Sequence, residues 1–119
     1  MSEEPEIQSH VREVLEPGEQ LRLQAPASES TLAITDRRLI VADPNRIALA
    51  VPFERLRRIQ FDVERSRPAT LVIVPEHPHD EAQVLSVRPD QYEATARALV
   101  AIGLALVGPA EDAGADSPA

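Results

Sequence analysis

Cysteine and lysine are both absent from this 119-residue chain, and only three aromatic residues occur in it: Phe53, Phe61 and Tyr92. The lack of cysteine excludes disulfides, thiolate catalysis and cysteine-ligated zinc. The lack of lysine excludes Schiff-base chemistry and a P-loop lysine. With so few aromatic side chains, Leu, Ile, Val and Ala have to form the core, and the length suits one domain with a single modest core.

The charge is negative overall but unevenly distributed. The net charge is −8, and all 12 basic residues are arginine. Between Arg37 and Arg67 the chain has eight arginines against four acidic residues, while both ends are acidic. Long-range repulsion makes such a protein a poor general binder of nucleic acid or anionic membranes. The locally basic middle remains a candidate surface for an acidic partner.

Targeting and membrane-spanning signals are weak. The N-terminal segment MSEEPEIQSH is acidic and lacks the apolar stretch of a signal peptide. The longest uncharged apolar run, residues 98–110, is too short to cross a bilayer. We therefore expect a cytoplasmic protein.

The N-terminal part of the chain predicts a short amphipathic helix. Four apolar residues recur there at helical spacing: Ile7, Val11, Val14 and Leu15. Pro17 and Gly18 end this helix, because proline cannot continue it and glycine accepts a left-handed conformation.

Seven strands and a second helix are predicted after this turn, since turn residues recur every 8–12 positions and the apolar period then changes. Leu21, Leu23 and Ala25 should share one face of the first strand. Ile59, Phe61 and Val63 should share one face of the fifth. Residues 71–74 (LVIV) predict a central strand covered on both faces. On the C-terminal helix the expected core stripe is Tyr92, Leu99, Ile102, Gly103 and Leu106, opposite Ala94, Ala98, Ala101 and Ala105.

Three motifs resemble those of small bacterial pleckstrin-homology (PH)-like domains. They are LEPGE at 15–19, LAITDRRLIV at 32–41, and VPFERL at 51–56 with Ile59. The resemblance covers roughly residues 12–107. It implies a mainly β (α+β) fold: a seven-stranded antiparallel PH-like barrel or sandwich with a short N-terminal helix and a capping C-terminal helix. We expect a disordered N-terminus over residues 1–6, the PH-like domain over 7–107, and a disordered acidic tail over 108–119.

The resemblance raises lipid binding as one function. In PH domains that bind phosphoinositides, basic residues on the β1–β2, β3–β4 and β6–β7 loops hold the headgroup. The corresponding loops of this chain have one arginine, Arg46, against five acidic residues: Glu29, Asp43, Glu76, Asp80 and Glu81. These loops should repel phosphate, so we expect no binding to anionic lipids. A membrane-surface or lipid-binding adaptor stays the alternative function.

The arginine-rich middle is the other candidate site. In a meander, the β2–β3 and β4–β5 connections lie at the same end of the first sheet, which predicts one interaction patch: Arg37, Arg38, Arg55, Arg57 and Arg58. An acidic protein segment fits it, including a terminal segment of a neighbouring copy. The other interpretation is a solvated surface paired with Asp36, Glu54 and Asp62. Nucleic acid is disfavoured, because no aromatic residue is interleaved for base stacking.

Chemistry-bearing motifs are otherwise scarce. His77, His79 and Asp80 form a weak candidate metal cluster, but it is local and has no distant ligand. No glycine elbow surrounds a serine, and no glycine-rich loop is present for phosphate. We therefore expect neither catalysis nor a metal or cofactor, and the sequence identifies no small-molecule ligand. The function predicted is a non-enzymatic binding module for a protein partner or for a second copy of itself.

Overall fold

The structure is a computed structural model that describes residues 11–65 and 67–107. The disorder expected for residues 1–6 and 108–119 lies outside the described residues, as does the Ile7 end of the N-terminal helix. Residues 11–14 are helical. The glycine turn that follows is as predicted, since Gly18 has a φ of 81°.

Seven antiparallel strands follow, as the sequence predicts. They are β1 (Leu21–Pro26), β2 (Thr31–Thr35), β3 (Arg38–Ala42), β4 (Ile47–Pro52), β5 (Leu56–Glu64), β6 (Arg67–Pro75) and β7 (Gln83–Val87). The first four form one sheet in the order β1-β2-β3-β4, and the last three form a second sheet in the order β5-β6-β7. A 3-10 turn, Phe53–Arg55, carries the chain between them.

The two sheets form an open sandwich, so of the two forms predicted, barrel or sandwich, the sandwich is observed and the barrel is not. Within residues 11–65 and 67–107, no strand of one sheet is paired with a strand of the other. A backbone hydrogen bond from Ser28 N in the β1–β2 loop to Ser86 O in β7, at 2.8 Å, connects the two sheets instead. The 3-10 turn explains why the two sheets are separate, because it redirects the chain after β4 before a fifth strand can extend the first sheet.

The main core lies between the sheets and under the C-terminal helix (Tyr92–Val107). Its largest buried side chains are aliphatic and come from both sheets and the helix: Leu32, Ile34, Leu39, Leu71, Ile73 and Ile102. A 3-10 turn, Pro89–Gln91, starts the helix. The helix packs against β1, β2 and the turn Phe53–Arg55, and it caps this end of the sandwich as expected.

The helix is rotated relative to the predicted stripe. Thr95, Ala98 and Ile102 are buried and form the inner face, at the 3-and-4 spacing of one helical stripe. Gly103 is exposed and Leu106 is 55% exposed, so the prediction that both belong to the core face is wrong. The prediction that Ala98 lies on the outer face is also wrong. Its small side chain faces the core, where it lets the helix backbone approach the strands closely.

A second, smaller core covers the outer face of the first sheet. Val11 of the helical segment is buried together with Ala33, Ile40 and Ala42, and partly buried residues such as Val14 surround them. Strands β2 and β3 are therefore covered on both faces, which explains why four consecutive residues of each are buried.

Strand β6, which the sequence predicts to be covered on both faces, is central in its sheet but covered on one face only. Leu71 and Ile73 are buried, whereas Val72 and Val74 are half-buried. On the neighbouring strand β7, Val84 is 68% exposed. The described part of the chain leaves this outer face of the second sheet uncovered.

One irregularity in strand pairing moves a side chain away from its predicted face. A register shift between Leu21 and Leu23 moves Leu21 into the outer cluster, while Leu23 packs on the main core. This shift inserts one extra residue in β1, and one residue is enough to change the face of a strand side chain. Near the end of β5, Val63 is 57% exposed; the shift between Asp62 and Glu64 puts its extra residue on β6 and does not change the face of Val63.

Candidate functional site

The β2–β3 corner directs Arg38 inward, toward an acidic residue that the sequence analysis did not pair with it. Arg38 Nε donates to Glu19 Oε2 at 2.9 Å, and Arg38 Nη2 donates to Glu19 Oε1 at the same distance. The side chains of Arg38 and Glu19 are 15% and 0% exposed. Arg38 Nη2 also donates to the carbonyl oxygen of Val14 at 2.7 Å. The guanidinium therefore ties the N-terminal helical segment to the first sheet.

Glu19 accepts two further hydrogen bonds. Thr35 Oγ1 donates to Glu19 Oε2 at 2.6 Å, and the backbone N–H of Glu16 donates to Glu19 Oε1 at 2.9 Å. The hydrogen bond from Arg38 is the main reason that the pKa of Glu19 falls from 4.5 to about 2, although burial opposes the shift. The same pair raises the pKa of Arg38. We call Glu19, Thr35 and Arg38 the clasp.

Arg37 and Asp36 complete the connection between the corner and the glycine turn. Arg37 Nη1 lies 3.3 Å from Glu16 Oε1, in an ion pair whose side chains are 45% and 59% exposed. Asp36 Oδ1 accepts a hydrogen bond from the backbone N–H of Gln20 at 2.9 Å. Gly18 lies directly under Arg37, because a Cβ on it would meet Arg37 Nη2 at 3.3 Å. Two arginines of the predicted patch thus have intramolecular partners.

The other three arginines of the predicted patch point into solvent. Arg55 ends the 3-10 turn, and Arg57 and Arg58 begin β5; all three are exposed. None of their guanidinium groups forms an ion pair or hydrogen bond with any residue that the structure describes. A register shift between Leu56 and Arg58 explains why two consecutive strand residues are both exposed.

A groove lies beside these arginines. Arg57, Arg58 and Val74 line it, and Val74 is the β6 residue opposite Arg58. The row continues across the sheet through Val72 to Val84, which face each other on β6 and β7. We call Arg55, Arg57, Arg58 and Val74 the arginine face. Its cations lie beside two half-buried valines, Val72 and Val74, and the exposed Val84, so the surface offers both charged and apolar contacts to a segment that carries carboxylates and small apolar side chains.

Two carboxylates flank the arginine face. Glu54 precedes Arg55, and the backbone N–H of Glu76 donates to the carbonyl oxygen of Arg55 at 2.7 Å. Both residues are exposed, and neither forms an ion pair with the three arginines. Arg57 and Arg58 are further along β5 and are the cations best placed for an external anion.

The loops that hold phosphate in lipid-binding PH domains are acidic at the surface. Glu29, Glu76, Asp80 and Glu81 are all exposed on the β1–β2 and β6–β7 connections. In the β3–β4 turn, Asp43 Oδ1 accepts hydrogen bonds from the backbone N–H groups of Asn45 and Arg46, at 2.8 and 2.9 Å. The candidate metal residues are in the same β6–β7 connection.

His77 and His79 lie side by side, with ring centroids 4.9 Å apart. His77 Nδ1 accepts the backbone N–H of His79 at 3.1 Å, and His77 O accepts that of Asp80 at 3.1 Å. Among the described residues, no group of three or more His, Cys, Asp or Glu side chains is arranged to hold a metal ion. The same part of the chain has no helix that is both long and apolar enough to cross a membrane.

Comparisons with solved structures agree with this architecture. A pleckstrin homology domain from Shewanella amazonensis has a TM-score of 0.57 and 16% sequence identity, covering 78% of this chain and 90% of that one. A DUF1696 family protein with a pleckstrin-homology domain, from Shewanella loihica, has a TM-score of 0.60 and 16% identity, covering 83% and 92%. No family model and no curated protein matches the chain. The likeness shows the fold, so the predicted PH-like fold is confirmed.

Proposed function

We propose that this PH-like domain is a non-enzymatic module that binds an acidic, extended segment of a protein at the arginine face. One observation carries the proposal. Arg55, Arg57 and Arg58 have no intramolecular partner among the described residues, although the arginines at the β2–β3 corner do. They lie beside a strip of valines that nothing in the described chain covers.

The position of β5 at the edge of its sheet suggests how such a segment binds. Strand β5 pairs with β6 on one side and with no described strand on the other. An edge strand offers backbone N–H and C=O groups to an added strand, and side-chain grooves then give specificity. Side chains of an added strand alternate between the two faces of the sheet, so carboxylates at every second position would lie on the face shared by Arg58 and Val74, and the small apolar groups would lie on the opposite face.

Two other ligand classes fit the described surface less well. Single-stranded nucleic acid needs exposed aromatic rings for stacking, but Phe61 is half-buried and contacts Tyr92 edge-on at 5.7 Å. Anionic lipid would meet the carboxylates of the loops that hold phosphate in lipid-binding PH domains.

The test uses a fluorescein-labelled peptide of alternating glutamate and valine, with binding measured by fluorescence anisotropy. We expect the wild-type chain to bind it and the Arg57→Gln/Arg58→Gln variant to bind about tenfold more weakly, because each exposed ion pair contributes up to about 1 kcal/mol. Added salt should weaken wild-type binding for the same reason. A glutamine–valine peptide should not bind.

The matched control is Arg46→Gln/Arg65→Gln, which removes the same charge from two exposed arginines, in the β3–β4 and β5–β6 turns, that form no ion pair with any described residue. This variant should bind the peptide like the wild type. If both variants bound the peptide equally weakly, net charge alone would control binding, and the assignment of the site to Arg57 and Arg58 would be wrong. Binding to phosphatidylglycerol vesicles without binding to the peptide would favour the lipid-adaptor alternative.

A further inference from the structure

The end of the C-terminal helix lies beside the 3-10 turn that leads into the arginine face. Leu104 and Leu106, near the end of the helix, line one groove together with Asp36, Arg37, Phe53 and Glu54. Phe53 and Glu54 belong to the 3-10 turn that ends at Arg55. The described helix therefore ends near Arg55, the first of the three arginines that have no partner among the described residues.

The charge of that continuation complements the arginine face. Residues 108–119 read GPAEDAGADSPA and contain three carboxylates and no basic residue. The acidic positions are Glu111, Asp112 and Asp116. The arginine face carries the three arginines that have no partner among the described residues, flanked by Glu54 and Glu76.

The reach of the continuation also matches. Glu111 and Asp112 are four and five residues beyond Val107, so an extended chain can carry them about 13–17 Å from the helix end. Arg57 and Arg58 are three and four residues beyond Glu54, a span of about 10–14 Å along an extended strand. A tether this short keeps the local concentration of the tail near the millimolar range, so weak ion pairs suffice.

We propose that residues 108–119 bind the arginine face of their own chain and compete there with the external acidic segment. The inference rests on the proposed function for its regulatory consequence. An external ligand has to displace the tail, so its apparent affinity is lower than the affinity of the bare face. A partner that binds the tail would free the face.

The experiment uses the full chain and a tail-neutral variant, Glu111→Gln/Asp112→Asn/Asp116→Asn, which preserves side-chain size. Backbone amide NMR signals of Arg57, Arg58 and Val74 should differ between the two proteins by more than those of Arg46 and Arg65. High salt should move the wild-type signals toward those of the variant. The difference should persist across a dilution series, because the contact is within one chain.

The same two proteins are then titrated with the glutamate–valine peptide. The tail-neutral variant should bind it at least about threefold more tightly than the wild type. Combining it with Arg57→Gln/Arg58→Gln should remove this gain. Equal affinity of both proteins, with binding still dependent on Arg57 and Arg58, would overturn the tail proposal and leave the proposed function intact.

Failure of the peptide to bind either protein would overturn the proposed function, and the NMR comparison then decides the tail contact separately. Unchanged amide signals at Arg57, Arg58 and Val74 would overturn that contact. Signals that lose their difference on dilution would assign the contact to the tail of a second copy and overturn the intramolecular form proposed.

Discussion

At the scale of single residues, the two adjacent arginines of the β2–β3 corner have very different surroundings. Arg38 is held by a carboxylate with no exposed surface, whereas Arg37 pairs with Glu16 in solvent. Removing one partner from a buried ion pair costs several kcal/mol, because the remaining charge stays desolvated. An exposed pair contributes little, because water already solvates both groups.

The clasp therefore predicts a large difference between two similar substitutions. Arg38→Met should lower the free energy of unfolding by about 3 kcal/mol, while Arg37→Met should lower it by less than about 1 kcal/mol. Urea denaturation followed by circular dichroism measures both. The double variant Glu19→Leu/Arg38→Met should recover much of the loss, because no charge remains buried. A double variant no more stable than Arg38→Met alone would contradict this account.

At the scale of elements, the rotation of the C-terminal helix distinguishes two alanines that the sequence pattern groups together. Ala98 is fully buried against the core, and Ala105 is exposed. Both lie on the face that the apolar pattern assigns to solvent. The apolar pattern assigns the wrong core face because it depends on the positions of large apolar side chains, whereas close packing of a helix against strands requires a small side chain.

We accordingly expect Ala98→Leu to destabilise the domain by about 1–3 kcal/mol, since extra carbon atoms in a filled core force its neighbours apart. Ala105→Leu is the matched control and should change the free energy of unfolding by less than about 0.5 kcal/mol. Thermal denaturation of the two variants beside the wild type gives the comparison. If Ala105→Leu destabilised the domain more than Ala98→Leu, the core stripe predicted from the sequence would be right.

At the scale of the whole molecule, the first sheet is covered on both faces and the second on one. The helical segment at residues 11–14 covers the outer face of the first sheet, and the clasp holds it there. The valines on the outer face of the second sheet have no such cover among the described residues. The proposed site lies on this second sheet, beside the face that the described residues leave uncovered.

The free energy of unfolding should depend on pH through the ionisation of Glu19 in the clasp. Because the pKa of Glu19 is lowered from 4.5 to about 2 on folding, its contribution is fully present above pH 4.5 and is lost as the pH falls toward 2. The contribution is on the order of 3 kcal/mol. Wild type should thus exceed Glu19→Gln in stability near neutral pH, and the difference should shrink in acid. Urea denaturation of both proteins at several pH values tests this, and a constant difference would count against it.

The strands and their order could be read from the sequence because their signals are local. Alternating apolar residues, the Asp43 turn and the Pro17-Gly18 turn each act over a few neighbouring residues. Contacts between residues that are distant along the chain cannot be predicted in this way. Glu19 is 19 residues from Arg38, and no periodicity relates the two. A glutamate two residues before β1 is the one sequence signal near this contact.

Residue chemistry thus specified a seven-stranded meander with a helix after it, a basic middle and acidic ends. The tertiary structure determines which arginines remain available to an external ligand. Arg38 pairs with a buried carboxylate, and Arg57 and Arg58 have no such partner among the described residues. It also determines which face of the C-terminal helix is buried and which face of β6 is left uncovered by the described residues. These outcomes depend on how elements pack against each other, because burial and charge pairing are properties of three-dimensional neighbours rather than of sequence spacing.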